Sequence, residues 1–599
     1  MLEPRHIQDF SNASGLEPHW GYADRVVPCT NDAGSCAYLD VVYTAHDVGM
    51  YYTGILWLVI FSGLLSWAIW YRMKINSQTV LTLTSLRTKY LGSEVSLPRY
   101  LRFLGRKTRL QFVILTWITI YLTIFTFAGI TYSTWITPVK NTNSSNTRTS
   151  LGPWADRIGV LAYALTPLSI LLASRESLLS VITGIPHHQF MFLHTYLGHV
   201  ILLQASLHTI GWCIVEFRLY QPQPSVGIAF ITQTYIIWGV VGQLLLIVLW
   251  LLSTNMARRY FGYKFFRKAH YVLAMVYIGA LIGHWPQLQC FLIPAILLWG
   301  MDRAARLIRT AGIHYRLLPG GGSGQFKSLE AGTIVLGDVV RLDLDFDGNV
   351  KWKVGQHFSL TFPEGKGGIW QSHPFTPLSP PGRRQSYIFR ARRGETSRIS
   401  QTNNPKTKVI LTGPYGNDTL EDYRGENVLC IAGGTGITFV LPVLLVLARS
   451  RGFRKENMIE LVWVVRHSRD IEWVREEIEE LRQAGLGVEI YSTRDEAATN
   501  TLLSTQTSNT ESDLEKDIAS STPDLGSVKE LSNHVRPDMS EVVSAFVRGS
   551  EAATKVYVSG PTGMMRDVKQ AVAGCNAPGK VWKGDSSGLV ELIYDERLE

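Results

Sequence analysis

The chain has 599 residues, of which 18% are charged, with 17 Trp and 25 Tyr and a mean hydropathy of +0.07. Soluble proteins carry about 25% charged residues, so this composition excludes a disordered chain, a fibrous repeat, a small disulfide scaffold and an ordinary soluble enzyme. The net charge of +9 would suit nucleic acid, but Lys and Arg cluster in short segments between apolar stretches, the pattern of a membrane protein, and nucleic acid is set aside as a partner.

Residues 1–50 read as an N-terminal tail with seven acids against Arg5 and Arg25. Seven apolar stretches follow, near 51–71, 112–133, 157–173, 190–217, 231–253, 266–285 and 289–308. Most reach the ~20 residues a helix needs to cross the hydrocarbon core. The last is the weakest, because Asp302 and Arg303 enter its final turns. The tail has no apolar core of a cleavable signal, so the first stretch is expected to act as the insertion signal.

Segment 72–109 holds nine Lys/Arg and one acid, Glu94; segment 254–268 holds five more basic residues; loop 138–156 holds only Lys140 and Arg148. The positive-inside rule then predicts the N-terminus outside and, after seven spans, the C-terminal half in the cytosol. The sequons Asn12-Ala-Ser and Asn143-Ser-Ser fall on the predicted outer side. Cys29 and Cys36 fall there too, where a disulfide can form. No CxxC pattern occurs, so iron–sulfur and structural zinc sites are not expected.

The membrane half carries four histidines with a common spacing. His194 and His208 lie on the fourth stretch, His270 and His284 on the sixth, each pair fourteen positions apart. Fourteen residues rise ~21 Å and rotate by close to a whole number of turns. Both members of a pair therefore share one helix face, near opposite membrane surfaces. The two helices run in the same direction, so His194 can face His270 at the inner side and His208 can face His284 at the outer side. Opposed imidazoles with no carboxylate or thiolate between them suit the two axial positions of a haem iron. Two readings compete: each His hydrogen-bonds a neighbouring helix, or the set relays protons, although relays usually mix His with Asp or Glu. His187, His188 and His199 fit the register less well.

From about 312 the pattern changes. Short β-rich runs between Gly/Pro turns fill 325–412 and predict a small antiparallel barrel. From 427, strand "NVLCIAG", a helix near 438–449, strand "IELVWVVR", a charged helix over 470–484 and strands "VEIYST" and "KVYVSG" alternate. That alternation predicts a parallel, doubly wound sheet. Residues 496–534, rich in Ser, Thr, Asn and acids, read as a disordered insertion.

Gly433-Gly434-Thr435-Gly436 sits at a strand-to-helix turn, where small residues let a phosphate approach backbone N–H groups; a tight packing turn is the competing reading. Arg466 ends the next strand and could pair the 2′-phosphate of NADP, or be a solvated strand end. Ser559-Gly560-Pro561 ends a further strand on the same carboxyl edge, where such sheets bind ligands. In the barrel, His373-Pro374-Phe375-Thr376 form a rigid, aromatic-bearing turn. Arg393-Gly394-Glu395-Thr396 offer donors for a pyrophosphate.

Together these residues resemble the flavocytochrome b superfamily that contains fungal ferric-chelate reductases and NADPH oxidases. The pattern His194-x3-Gly198-x9-His208-x3-Trp212 resembles the family's first haem helix, and His270-x13-His284-Trp285 its second. "HPFTPLS" resembles the FAD turn, "GPYG" (413–416) the hinge between flavin and nucleotide domains, "GGTGIT" and "SGP" the NADPH motifs, and "RPD" (536–538) the segment before the last helix. The equal x13 spacing resembles the metalloreductase branch. Phe439 stands where the family usually has Pro, and Tyr594 is the aromatic nearest the C-terminus.

The resemblance implies a multidomain membrane protein: an all-α transmembrane bundle of about seven helices joined to a cytosolic ferredoxin-reductase-like module. The domains would be an extracellular tail (1–50), a bis-haem membrane domain (51–308), a FAD-binding β-barrel (312–420) and an NADPH-binding α/β domain (421–599). It implies two haem b held by His194, His208, His270 and His284. It implies FAD held by His373, Pro374, Phe375 and Thr376, with Gly394 and Thr396 at its pyrophosphate. It implies NADPH held by Gly433, Gly434, Thr435, Gly436, Arg466, Ser559, Gly560 and Pro561. No catalytic residue beyond these is expected. The implied activity is NADPH-dependent reduction of extracellular ferric or cupric chelates at the plasma membrane, serving a metal transporter acting downstream. A superoxide-producing oxidase and a non-catalytic haem-holding scaffold are the alternatives.

Overall fold

The computed structural model describes residues 8, 14–73, 77–95, 106–140, 142–315, 326–345, 351–365, 368, 371–391, 394–401, 404–450, 457–494, 532–533 and 536–595. Asn12, Arg393 and the expected insertion 496–534, apart from the backbone of Ser532 and Asn533, lie outside them. The chain forms two compact units, Met1–Lys74 with Val113–Arg306, and Ile75–Phe112 with Leu307–Glu599.

The helices of the first half are α1 (Ala33–Met73), α2 (Gln78–Leu91), α3 (Arg109–Phe127), α4 (Leu151–Ala173), α5 (Met191–Ile214), α6 (Thr234–Leu252), α7 (Tyr263–His284) and α8 (Gln289–His314). Among the described residues, six are long and apolar enough to cross a membrane: α1, α3, α4, the run His187–Leu219 containing α5, α6 and α7. The seventh expected stretch does form a helix, α8, but it falls outside that set. Asp302, Arg303, Arg306 and Arg309 lower the hydropathy of its second half.

Helix α1 starts at Ala33, well before the first apolar stretch near 51. Tyr38, Leu39, Val42, Tyr43, Ala45 and Met50 are buried while Asp40 and Thr44 are exposed. That is a helical period, and Asp40 and Asp47 hide it from a hydropathy count. Cys29 and Cys36 are disulfide-bonded. The second sequon, Asn143, lies in the turn of a hairpin pairing Thr134–Pro138 with Ser145–Thr149. Helix α4 is mostly buried, and Leu165, Leu197, Ile201, Leu246, Ile278 and Leu292 close the core around it.

The second unit starts with strands β1 (Leu329–Leu336), β2 (Val339–Asp345), β3 (His357–Thr361), β4 (Ser372–Phe375), β5 (Arg384–Arg390) and β6 (Lys406–Tyr415). They form one antiparallel sheet in the order β4-β3-β6-β1-β2-β5. Alternate residues such as Val340, Leu342, Phe358, Leu360, Tyr387 and Leu411 fill its interior, as the period-2 pattern requires. The nucleotide domain has strands β7 (Asn427–Gly433), β8 (Ile459–Val465), β9 (Gly487–Ser492), β10 (Ser532–Asn533), β11 (Thr554–Ser559) and β12 (Val590–Asp595). These are all parallel, in the order β10-β9-β8-β7-β11-β12, which is the expected doubly wound arrangement.

Helices α9 (Ile437–Arg449) and α10 (Arg475–Gln483) cover one face of this sheet. Helices α11 (Met539–Arg548) and α12 (Thr562–Cys575) cover the other, and a short helix α13 (Pro578–Trp582) follows. Val339, Leu378 and Ile388 of the barrel belong to the same core as α9. Arg341 donates to Trp473 O at 3.0 Å and pairs with Glu477 at 2.8 Å. The two domains therefore pack as one module.

Candidate functional site

The four histidines meet in two pairs. The rings of His194 and His270 have centres 6.2 Å apart, and those of His208 and His284 also 6.2 Å. Two imidazoles in line on one metal, with metal–nitrogen bonds of about 2 Å, have centres about 6 Å apart. Each ring is anchored through Nδ1: His194 to Ser169 O at 2.9 Å, His208 to Ala155 O at 2.8 Å, His284 to Tyr235 O at 2.8 Å, and His270 to Ser253 Oγ at 3.4 Å. A carbonyl acceptor puts the proton on Nδ1 and leaves Nε2 as the metal-binding nitrogen.

Among the described residues no group of three or more His, Cys, Asp or Glu could hold a metal ion. Each pair thus offers two opposed nitrogens only. That donor set suits a group that brings its own four equatorial ligands, and haem is such a group. His199, by contrast, is exposed and bonded to Thr195 O at 2.7 Å, a local helix contact.

Sequence reasoning missed what stands behind the rings. Gly159 lies one turn beyond Ala155 on α4, and a Cβ there would sit 2.8 Å from His208 Nδ1. Gly239 lies one turn beyond Tyr235 on α6, and a Cβ there would sit 2.7 Å from His284 Nδ1. Both glycines let the ring close on the helix that holds it. At the same end, Asp156 accepts from Trp212 Nε1 at 3.0 Å and from Tyr22 Oη at 3.2 Å, and Trp285 Nε1 donates to Gly21 O at 3.1 Å. The segment Gly21–Tyr22 is thereby fastened beside both histidines.

In the barrel, His373, Pro374 and Phe375 form edge strand β4, and Pro374 is exposed. The Phe375 ring stacks on Phe389 of the opposite edge strand β5, with centres 4.8 Å apart, and His373 stacks on Phe375 at 6.2 Å. An aromatic platform with a proline that breaks the edge ladder can receive a flat ring system. Thr376 follows directly. Gly394 has φ +71° and precedes the short helix Glu395–Gln401, which contains Thr396.

The glycine turn has a packing role and a free edge. A Cβ at Gly433 would meet Pro561 Cδ at 2.5 Å, one at Gly436 would meet Ser559 O at 2.2 Å, and one at Gly560 would meet Gly433 N at 3.0 Å. The turns 433–436 and 559–561 therefore pack on each other at the carboxyl ends of the neighbouring strands β7 and β11. Gly434 has φ +56° and open space where a Cβ would be, so its backbone stays approachable. Thr435 is half-buried beside it.

Arg466 is exposed just past the end of β8. Arg494, which the sequence reading passed over, donates its N–H to Arg466 O at 2.8 Å, so two arginines stand side by side at that edge. Phe439 is buried in the core under α9, and the Lys569 ammonium lies 4.4 Å from the centre of the Tyr594 ring.

The fold and site define a class: a multi-pass bundle with two histidine pairs, joined to a flavin- and nicotinamide-binding module. Residues 158–281 match the ferric reductase like transmembrane component, residues 326–419 a FAD-binding domain and residues 425–573 the ferric reductase NAD binding domain. Ferric reductase transmembrane component 4 of Saccharomyces cerevisiae is 26% identical over 373 residues, covering 60% of this chain and 49% of that protein. Ferric/cupric reductase transmembrane component 7 of the same yeast is 28% identical over 341 residues, covering 54% and 52%. The chain thus spans about half the length of these curated relatives. A ferredoxin NADP+ reductase from Neisseria gonorrhoeae aligns with 45% of this chain and 99% of its own, at 14% identity and a TM-score of 0.31. The chain thus carries a ferric reductase like transmembrane component, a FAD-binding domain and a ferric reductase NAD binding domain, and is similar to the ferric and cupric reductase transmembrane components.

Proposed function

We propose that the chain is a transmembrane metalloreductase that takes electrons from cytosolic NADPH and delivers them to ferric or cupric chelates outside the plasma membrane. The observation that carries this reading is the two facing histidine pairs at 6.2 Å in a chain that also has FAD- and NAD-binding domains. His194 with His270 and His208 with His284 would each hold one haem b, and His373, Pro374, Phe375, Thr376, Gly394 and Thr396 would hold FAD. When bound, these groups supply the conversion of a two-electron donor into single-electron steps.

The protein's own part is binding, orientation and insulation. Carbonyls of Ser169, Ala155 and Tyr235 fix the tautomer and the aim of three rings, and imidazoles used as neutral ligands avoid the cost of charge in hydrocarbon. Backbone N–H groups at Gly433–Gly436 would receive the pyrophosphate against Ser559, Gly560 and Pro561. Arg466, with Arg494 beside it, would pair the 2′-phosphate and so favour NADPH over NADH. The basic segments 72–109 and 254–268 would face the cytosol, and the bonded Cys29–Cys36 pair and Asn143 would then lie outside. A metal transporter downstream would take up the reduced ion.

The test supplies NADPH to the cytosolic side of membranes bearing this chain and follows ferrous ion outside with a specific dye. Dye signal that superoxide dismutase leaves untouched is the expected result. Signal that dismutase abolishes would make superoxide the product and the chain an oxidase; no NADPH-dependent reduction at all would leave a non-catalytic scaffold.

A further inference from the structure

Helix α2 lies between two membrane-length helices in sequence, yet it folds with the nucleotide domain. Thr82 and Ser85 on its inner face are buried. Ser85 Oγ donates to Asn576 Oδ1 at 2.9 Å, and Gln78 Nε2 donates to Val581 O in α13. Just past the helix, Glu94 lies 3.7 Å from the buried ammonium of Lys569, which itself rests on the Tyr594 ring of β12.

The C-terminal end of α2 is tied to the start of a span. Arg109, the first residue of α3, donates its N–H to Ser93 O at 3.0 Å and its guanidinium to Tyr90 O at 3.5 Å. Val95 N–H donates to Lys107 O at 2.9 Å. Tyr90 therefore sits at the level where the chain enters an apolar helix of 19 residues. The outer face of α2 is apolar and open: Leu83 is 58% exposed, Leu86 38% and Tyr90 54%. Spacings of three and four put these side chains on one face. Arg87 is exposed among them. The surrounding segment 72–109 carries nine basic residues, and its one acid, Glu94, is already paired to Lys569.

We propose that α2 is a membrane-surface adaptor: its inner face holds the nucleotide domain, and Leu83, Leu86 and Tyr90 lie among the headgroups of an anionic lipid surface. Tyr favours that interfacial depth, apolar side chains on one helix face enter the headgroup boundary, and the exposed Arg87, in a segment of nine basic residues and one acid, draws the helix to anionic lipid. The inference does not depend on the metalloreductase reading, because it concerns contact and not turnover.

The test uses the full chain in vesicles of phosphatidylcholine and phosphatidylserine with brominated acyl chains. Leu83→Cys and Leu86→Cys are each labelled with an environment-sensitive fluorophore, and the unsubstituted chain labelled in the same way gives the background from native thiols. Glu476→Cys, exposed on α10, is the reference. Both positions are exposed, so the substitutions leave the packing intact. Brominated lipid is expected to cut the emission at 83 and 86 by roughly two-fold or more relative to position 476. Omitting phosphatidylserine, or raising salt to about 0.5 M, is expected to weaken that loss. Equal quenching at 83, 86 and 476 would overturn the lipid contact, as would emission at 83 or 86 governed by a second copy or a soluble protein. Quenching indifferent to phosphatidylserine and salt would overturn the anionic surface.

Discussion

Replacing Gly159 or Gly239 by Ala tests whether the His208–His284 pair is built as a ligand pair. The added Cβ of Gly159→Ala would lie 2.8 Å from His208 Nδ1, and that of Gly239→Ala 2.7 Å from His284 Nδ1. An ordinary contact starts near 3.4 Å, so each ring must retreat by about 0.6 Å along the direction that leads away from the helix that anchors it, α4 or α6. Ala155 and Gly159 are one turn apart on α4, and Tyr235 and Gly239 one turn apart on α6. The retreating ring therefore leaves its carbonyl acceptor as well, and a 2.8 Å bond stretches past the ~3.2 Å limit of a good one. A neutral hydrogen bond of that kind is worth about 1 kcal/mol, and losing the group that orients a metal-bound histidine costs about 10–100-fold in affinity.

The assay is the haem-to-chain ratio by the pyridine haemochrome, followed while apomyoglobin competes for the released group. Each variant should give up about one of two haems some 10–100-fold faster than the parent chain, with the other retained. Gly54→Ala is the control, because a Cβ there meets nothing within 4 Å. If both variants held two haems with the parent's exchange rate, the rings would not be locked by these helices and the ligand assignment would fail.

Three further outcomes are expected. His208→Ala or His284→Ala should remove one haem while NADPH still reduces the flavin; a variant that kept both haems and full transmembrane reduction would refute the pairing. Arg466→Ala should raise KM for NADPH by roughly 10-fold with kcat unchanged and KM for NADH unmoved, and an equal effect on both nucleotides would make Arg466 a solvated strand end. Burial pushes the Cys430 thiol well above its usual range, so its thiolate fraction at pH 8 falls and iodoacetamide should spare it in the folded chain. Mass spectrometry of the alkylated protein reads this directly, and early modification of Cys430 would show that β7 opens.

Much of this architecture is legible in the residues, and what is not has a physical reason. The fourteen-residue spacing of the histidines points to facing pairs because a helix repeats its face at that interval. The doubly wound sheet is legible because strand and helix periods alternate through 427–492. The anchors of the rings are not legible, because a backbone carbonyl at Ser169, Ala155 or Tyr235 has no side-chain signature, and Gly159 and Gly239 read as ordinary helix glycines. Helix α2 is hidden by composition: "QTVLTLTSLRT" is rich in β-branched residues that disfavour helix, and packing on Asn576, Val581 and Lys569 overrides that preference. The early start of α1 is hidden by Asp40 and Asp47, which a hydropathy window counts against a span although Asp40 simply faces outward.

The two ends of the histidine ladder are not held alike, and helix geometry says why. Helix α4 runs alongside α5 and presents the carbonyls of Ser169 and Ala155, fourteen residues apart, to His194 and His208, which are also fourteen apart. Equal spacing lets one helix serve both rings with backbone bonds. On the other side, the anchors are Tyr235 and Ser253, eighteen residues apart. Eighteen residues return to the same face after five turns but rise about 27 Å, against about 21 Å for the fourteen that separate His270 and His284. One end must therefore be out of register. The bonds show which: His284 meets the Tyr235 carbonyl at 2.8 Å, while among the described residues the partner of His270 Nδ1 is the Ser253 hydroxyl at 3.4 Å. A hydroxyl at that distance constrains both the ring and its proton less than a carbonyl does. His208 and His284, each locked between a carbonyl and a glycine, form the more rigid pair, and of the four proposed ligands His270 would be the one best able to adjust.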